Sequence, residues 1–368
     1  MVLQNVSRAF RNYFREIDIP LFATTVAILL LSFANLYGIG GWESSYVKRQ
    51  LLFTAIGAIA MIGASFFNYR YLKNYSFPVL LVYGGTLVLL GFALVSPAIR
   101  GIHAWIVWGS FRFEPSELAK IGFIAVMAKY FSQRHIHIRQ FRTILISAVY
   151  LALPLLLVLA QPDLGSAVLL TLVWGGLLLA TGINIRHLFA LLGAGIIIGY
   201  LAWIFALQPY QKERLVAFIN PYKDPTGIGY NIIQAKIAIG SGNWFGNGFG
   251  KGTQAGLGFL PEAHNDFAFA ALAEQFGFFG VLVLMSLILL VVWRILKIGQ
   301  RAHNNFVKLF CLGLSILILV HSMVSAAVNL GLMPITGIPF SFLSYGGSHL
   351  IAVMIGLGMV QSFKRYGS

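Results

Sequence analysis

Acid is the scarcest chemistry in this sequence. Only 11 residues are Asp or Glu, against 26 Lys and Arg, and charged residues make up 10% of the chain. A soluble domain usually carries about 25% charged residues. The deficit excludes an ordinary globule surrounded by water. Cysteine is nearly missing as well. The one thiol, Cys311, lies in an apolar run, and a single thiol makes neither an internal disulfide nor a Cys-rich metal centre. The histidines show no zinc spacing, and His135 and His137 stand apart from the acids. No repeat period is visible, which excludes solenoids and arrays. What fills the chain is apolar: 58% of it is hydrophobic, with a formal net charge of +15. In a soluble protein that charge would suggest nucleic acid. Here the bases flank the apolar runs, so retention signals and anionic lipid headgroups explain them, and no nucleic-acid partner is expected.

A bilayer is crossed by about 20 apolar residues. About ten such spans can be drawn, near 19–39, 50–67, 77–97, 118–131, 143–160, 164–181, 187–207, 267–293, 307–330 and 347–363. The fourth is the weakest, because Glu117 and Lys120 stand at its start. Arg8, Arg11 and Arg15 precede the first span, and no small-x-small cleavage site follows it. It therefore reads as a retained span and not a signal peptide. The expectation is an all-α polytopic membrane protein: one integral membrane domain over 1–368, with a long outer loop at about 208–266.

Orientation follows from the loops. With the N-terminus inside, the inner segments carry Arg70, Lys73, Arg134, Arg139, Arg142, Arg186, Arg294, Lys297, Arg301, Lys308, Lys364 and Arg365. That is a positive-inside pattern with both termini cytoplasmic. Only Glu16 and Asp18 lie inside. Glu43, Glu114, Glu117, Asp163, Glu213, Asp224, Glu262, Asp266 and Glu274 fall outside or at outer span ends. Acids at apolar boundaries are expensive to keep, so the polar chemistry is expected on the extracytoplasmic face. Within the long loop, Tyr230, Ile233 and Ile237 have near-helical spacing. Either a helix lying on the membrane surface or a packed linker helix fits them. The stretch 331–346 is apolar but broken by Pro334, Pro339 and paired glycines. It reads as a loop folded back over the outer mouth of the bundle.

Four segments carry candidate chemistry. LPEAHNDFAFA puts Asp266 at the entry to the eighth span, with Glu262, His264 and Asn265 on the same turn and a Gly-rich stretch before it. A carboxylate beside Gly-rich backbone can serve a ligand, or it can simply sit favourably at a helix N-terminus. FRFEPSELAK puts Glu117 and Lys120 one turn apart, as a structural ion pair or a catalytic one. In QPDLGSA, Asp163 is a helix cap or a ligand. In YQKERL, Gln211 and Arg214 are phosphate partners or a solvated charge run.

Together these segments resemble the SEDS family, the RodA, FtsW and SpoVE proteins. QPDLGSA, NPYKDPTGIGYNIIQAKIAIGSG, FGKGTQ, LPEAHNDFAFAALAEQFGFFG and PITGIPFSFLSYGGS carry the likeness over nearly the whole chain. IQAKIAIGSG and GKGTQ resemble RodA, of the elongation machinery, more than FtsW. The resemblance implies a peptidoglycan glycosyltransferase that polymerises lipid II outside the membrane with a class B penicillin-binding protein, and with other elongation-machinery membrane proteins, as partners. It places the essential aspartate on Asp266, the Glu/Lys pair on Glu117 and Lys120, the second aspartate on Asp163, and the loop's Gln and Arg on Gln211 and Arg214. Gln234, Glu262, His264 and Ser344 join them as substrate-binding or supporting candidates. The sequence departs from the family blocks at four places. Ala104 stands where relatives commonly carry Arg, with Arg100 or Arg112 as substitutes; Asn243 replaces a Gly, Ser341 a Pro and His349 a small residue.

The chemistry fits the residues. A lipid-linked sugar diphosphate already has a good leaving group, so one base for the acceptor hydroxyl suffices, with positive charge for the diphosphate. Mg²⁺ or Mn²⁺ would accompany the diphosphate, with no dedicated cage and no organic cofactor. A lipid II flippase and a non-catalytic scaffold remain the rival functions. A flippase needs a polar path through the bundle, and here the acids gather at one face.

Overall fold

The computed structural model describes residues 16–42, 44–99, 101–109, 111–134, 140–205, 207–225 and 227–367; Glu43, Arg100, His135, His137 and Arg139 lie outside them. The long helices are α1 (Ile19–Gly40), α2 (Ser45–Phe66), α4 (Ser76–Val95), α5 (Pro115–Gln133), α6 (Phe141–Ala160), α7 (Leu164–Ala180), α8 (Ile185–Phe205), α12 (Ala268–Arg301), α13 (Asn305–Asn329) and α14 (Gly347–Gly367). Each matches one expected span. Shorter helices are α3 (Arg70–Asn74), α9 (Pro209–Ile219), α10 (Ile228–Ser241) and α11 (Thr253–Gly256). A two-stranded antiparallel hairpin, β1 (Ile106–Trp108) and β2 (Phe111–Phe113), precedes α5.

Seven of the long helices are long and apolar enough to cross a membrane by length and composition. The other three are α5, α7 and α14. Two of these are enclosed by protein: α5 is buried almost throughout from Pro115 to Phe131, and α14 from Leu350 to Phe363. Helices with polar side chains sit where other helices, not lipid, surround them. The reverse holds for α8, which is strongly apolar and buries none of its residues.

The eighth span is not continuous as expected. Gly277 has φ 66° and ψ −163°, which breaks α12 into an outer piece, 268–276, and a long piece, 278–301. A break frees backbone groups that must be bonded elsewhere. The 243–248 loop bonds them. Asn247 N donates to Glu274 O at 2.9 Å and Gly248 N to Gln275 O at 3.2 Å. In return, Phe278 N donates to Asn243 O at 2.9 Å and Phe279 N to Trp244 O at 3.1 Å. A Cβ at Gly246 would overlap the Gln275 carbonyl, and one at Gly277 would overlap the 245–246 backbone. Gly246 and Gly277 therefore serve a backbone splice at the other end of the 268–276 piece, so Gly246, from the Gly-rich stretch before Asp266, is used there and not beside the aspartate. Asn243, where relatives commonly carry Gly, adopts φ 46°, and Asn tolerates that left-handed region better than most residues.

The linker α10 is a packed helix. Its buried face is Ile232, Ala235 and Ala238, set against α12 in a second core with Phe267, Ala270, Ala271 and Val328. Ile237, expected on the apolar face, is 45% exposed. Small side chains, which the hydrophobic spacing underweights, choose the face here.

Candidate active site

The turn that carries Asp266 is built from outside its own helix. The N-cap of α12 is Phe267, whose side chain caps nothing. The cap comes from α13: Asn329 Oδ1 accepts from Ala270 N at 3.0 Å. Asn329 Nδ2 donates to the Asp266 carbonyl at 2.9 Å and to Ser325 O at 2.8 Å. One fully buried amide thus caps the helix and fixes the aspartate's backbone. Asp266 itself is half-buried and stands before the N-cap. On the same turn Glu262 holds φ 52°. A non-glycine in that region costs about 1–3 kcal/mol, and such strain clusters at functional sites.

The stretch 331–346 is a strap across this region, as expected from its broken apolar sequence. Ser344 Oγ donates to Asn265 O at 2.7 Å and accepts from Phe340 N at 2.9 Å. Tyr345 N donates to His264 O at 2.8 Å. The His264 ring stacks on Tyr46 with centroids 3.9 Å apart, and its Nε2 lies 3.7 Å from Glu262 Oε2. Further along, Arg214 donates to Ile335 O at 3.5 Å and lies over the Tyr210 ring. The strap therefore connects the Asp266 turn to α9.

Beneath it lies a buried charge cluster. Lys120 Nζ is 2.8 Å from Glu117 Oε1, and both side chains are almost fully buried. Glu117 Oε2 is 2.9 Å from His349 Nδ1. His321 Nε2 is 3.2 Å from Lys120 Nζ, and its Nδ1 is 3.3 Å from Pro339 O. Nearby, Ser116 Oγ donates to Glu114 Oε1 at 2.7 Å and lies 3.2 Å from Ser166 Oγ.

The sequence candidates thus divide. Asp266, Glu262, His264 and Ser344 share one turn and its strap, and Glu117 and Lys120 lie in the cluster that the strap also touches. Asp163 is the N-cap of α7, accepting from Ser166 N at 3.0 Å. Gln211 closes the capping box of α9, its Oε1 accepting from Gln208 N at 2.9 Å. Gln234 is half-buried on α10. Arg100 lies outside the described residues. Lys212 and Glu213 line a cavity of about 450 Å³ with Trp203, Lys223 and Asp224; none of Asp266, Glu117 or Lys120 borders it.

Sequence reasoning missed Asn329 and His321, and it placed Glu274 among the outer acids without giving it a role. A signal existed for two of them: His321, Ser325 and Asn329 recur every four residues on one face of an apolar helix, and intramembrane polar residues are functional candidates by default. Glu274 is fully buried and accepts from Gln254 N at 2.7 Å and Ala255 N at 3.0 Å, which fastens the GKGTQ segment. Gln50 also went unnoticed. It is fully buried, no hydrogen bond of its side chain is found among the described residues, and it shares a face of α2 with Tyr46 and Phe53.

The profile of the FtsW/RodA/SpoVE family, described as cell cycle proteins, matches residues 12–368. The chain is 33% identical over 355 residues to the Escherichia coli peptidoglycan glycosyltransferase MrdB, covering 95% of this chain and 94% of that one. It is 31% identical to stage V sporulation protein E of Bacillus subtilis over 358 residues, covering 95% and 97%. A solved chain of a peptidoglycan synthase complex, described as coordinating polymerization and crosslinking, superposes with TM-score 0.81 at 30% identity, covering 95% of this chain and 98% of that chain. The crystal structure of the rod shape determining protein RodA of Thermus thermophilus superposes with TM-score 0.71 at 28% identity, covering 95% and 97%. The fold and the site define a polytopic membrane protein in which one strap touches both the Asp266 turn and the buried Glu117–Lys120 cluster. The chain belongs to the SEDS family, the FtsW/RodA/SpoVE cell cycle proteins, and within it is RodA-like.

Proposed function

We propose that this chain is a peptidoglycan glycosyltransferase that polymerises lipid II into glycan strands on the extracytoplasmic face of the bacterial cytoplasmic membrane during cell elongation. Both termini are cytoplasmic in this reading, as the basic loops support. The observation that carries it is the Asp266 turn, clamped by Asn329 from α13 and by the strap through Asn265 and His264. A base must be held within a few tenths of an ångström to be effective, and that turn is held from two sides.

In the proposed step the acceptor hydroxyl oxygen attacks the anomeric carbon of the lipid-linked donor. Its proton passes to the Asp266 carboxylate, and the carbon–oxygen bond to the diphosphate breaks. The undecaprenyl diphosphate leaves with the bonding pair. Single displacement inverts the centre, so an α-linked donor yields a β-linked glycan. Arg214 and the loop lysines supply positive charge toward the diphosphate, while Glu262 and His264 shape the turn. Mg²⁺ or Mn²⁺ would arrive with the diphosphate. Among the described residues the one close group of three His, Cys, Asp or Glu donors is Glu117, His321 and His349. Two nitrogen donors beside an ammonium do not suit a hard cation, so this group is not the place for Mg²⁺ or Mn²⁺.

A class B penicillin-binding protein is the proposed partner. The matched synthase complex supports it, as does α8, a span with no buried residue that leaves apolar faces open to a second helix. Purified protein with lipid II, with and without that partner, tests the reading on a glycan gel. Polymer from the wild type supports it, with more when the partner is added. No polymer under either condition sinks the enzyme and leaves the flippase or the scaffold.

A further inference from the structure

The buried cluster holds more basic groups than one ion pair needs. Glu117 is a single carboxylate facing Lys120, His321 and His349. Its hydrogen-bond pattern can be read from the partners. An ammonium only donates, so His321 Nε2 accepts from Lys120 and its Nδ1–H goes to Pro339 O. His349 Nδ1 donates to Glu117 Oε2, while His349 Nε2 stands 3.2 Å from Ser341 Oγ. The two imidazoles stack with centroids 4.2 Å apart. The spacing of Glu117, His321 and His349 would suit a soft metal ion, but the Lys120 ammonium already sits against two of the three. Lys120 is the cation of this cluster.

Ser341 and His349 are two of the positions where this sequence departs from the family blocks, and in the fold they touch each other. Each faces a different partner. His349 reaches Glu117, whereas Ser341 belongs to the strap. Three and four residues further on, Ser344 and Tyr345 hold the carbonyls of Asn265 and His264 beside Asp266. A short, fully bonded segment therefore runs from Glu117 through His349 and Ser341 to the Asp266 turn.

We propose that His349 and Ser341 act jointly as positioning residues, a latch that ties the strap to Glu117 and thereby sets where the Asp266 turn stands relative to the Glu117–Lys120 pair. Neither residue touches substrate. The proposal rests on the glycosyltransferase reading for its kinetic consequence.

The test is a double-mutant cycle of His349→Ser and Ser341→Ala, with His349→Asn as the conservative variant, on the full chain with its partner and lipid II. Each single change is expected to lower kcat by about 10- to 100-fold, because small displacements of a reacting group are costly, with KM within about threefold of wild type. The double mutant should be no worse than the worse single one, since both remove one latch. His349→Asn keeps a donor near Nδ1 and should recover part of kcat. Backbone hydrogen exchange over 262–267 should quicken in His349→Ser and in Ser341→Ala. Losses that multiply in the double mutant overturn the latch, as does unchanged exchange over 262–267. Should His349→Ser fail to fold, Ser341→Ala and His349→Asn answer the same question. If wild type makes no polymer, the glycosyltransferase reading falls and the exchange result alone decides the latch.

Discussion

Two carboxylates in this molecule are each surrounded by basic side chains, and they are built differently. Asp18, at the start of α1, caps its helix through Leu21 N at 3.0 Å. It pairs with Arg294 at 2.6 Å and Lys364 at 3.4 Å, whose side chains keep 18% and 38% exposure. Its backbone N–H donates to Gln361 at 2.7 Å. That cluster staples α1, α12 and α14 together at the end of the bundle where the basic loops gather. Glu117 has partners that are all but fully enclosed, and two of them, His321 through Pro339 O and His349 through Ser341, reach the strap over Asp266. Water can repair a loss around the exposed ends of the first cluster but not in the second. One charge inventory therefore makes a tolerant staple in one place and a rigid device in the other.

The sharpest way to break that contrast is at Glu117. Lys120→Met leaves a buried carboxylate without its ammonium, and losing one partner of a buried pair costs about 3–5 kcal/mol. The detergent melting temperature should fall steeply. Swapping the two charges restores an ion pair but turns an ammonium toward the His349 Nδ1–H, so melting should stay low. Full recovery in the swap would show that His349 contributes nothing. Next in size is Asn329→Ala, which removes the cap of α12 and the clamp on Asp266. A lost cap costs about 1–2 kcal/mol, and polymerisation should fall further than stability explains, by roughly 10-fold or more. Activity that merely tracks folded protein would contradict the clamp.

Asp18→Ala should cost less than Lys120→Met, about 1–2 kcal/mol, because exposed partners are screened and rehydrated. A loss equal to that of Lys120→Met would erase the comparison. Burial raises the Asp18 pKa, but the Arg294 hydrogen bond, the Leu21 N–H and the Lys364 charge outweigh it and hold the carboxyl below the usual aspartate range. The sign then follows: this contribution is present above the unfolded value of about 3.9 and fades as pH falls through the depressed folded value. Wild type should lose this part of its melting temperature in acid, and Asp18→Ala should not. The smallest effect belongs to Glu262→Gly. Relief of the left-handed φ should raise stability by about 1 kcal/mol or less, and a loss of stability would show that the Glu262 side chain outweighs its strain.

Much of this was legible before the fold was seen. Hydrophobic runs mark the ten long helices, seven of which are long and apolar enough to cross a membrane by length and composition alone. The strap was legible from Pro334, Pro339 and the paired glycines crowded into one short stretch, whereas single breakers such as Pro154 are tolerated inside a helix. What stayed hidden depends on contacts distant in sequence. The break at Gly277 falls inside the expected eighth span, and the 243–248 loop makes it tolerable. The buried face of α10 is set by Ala235 and Ala238, which weigh little in a hydrophobic pattern. Asp266 was legible as a helix-entry acid, yet its N-cap duty is performed by Asn329, 63 positions away. His349 and Ser341 were visible only as odd residues in familiar blocks, and their meaning needed the fold.

The most direct test concerns Asp266 itself. Asp266→Asn keeps the shape of the side chain and leaves the Asn329 bond to the carbonyl intact, because that bond uses the backbone. Equal amounts of wild type and Asp266→Asn, each with the partner and lipid II, should give matching melting curves. Glycan polymer should appear on the gel for wild type and be reduced by about 10²–10⁴-fold for the variant. Polymer from Asp266→Asn at near wild-type yield would contradict Asp266 as the base.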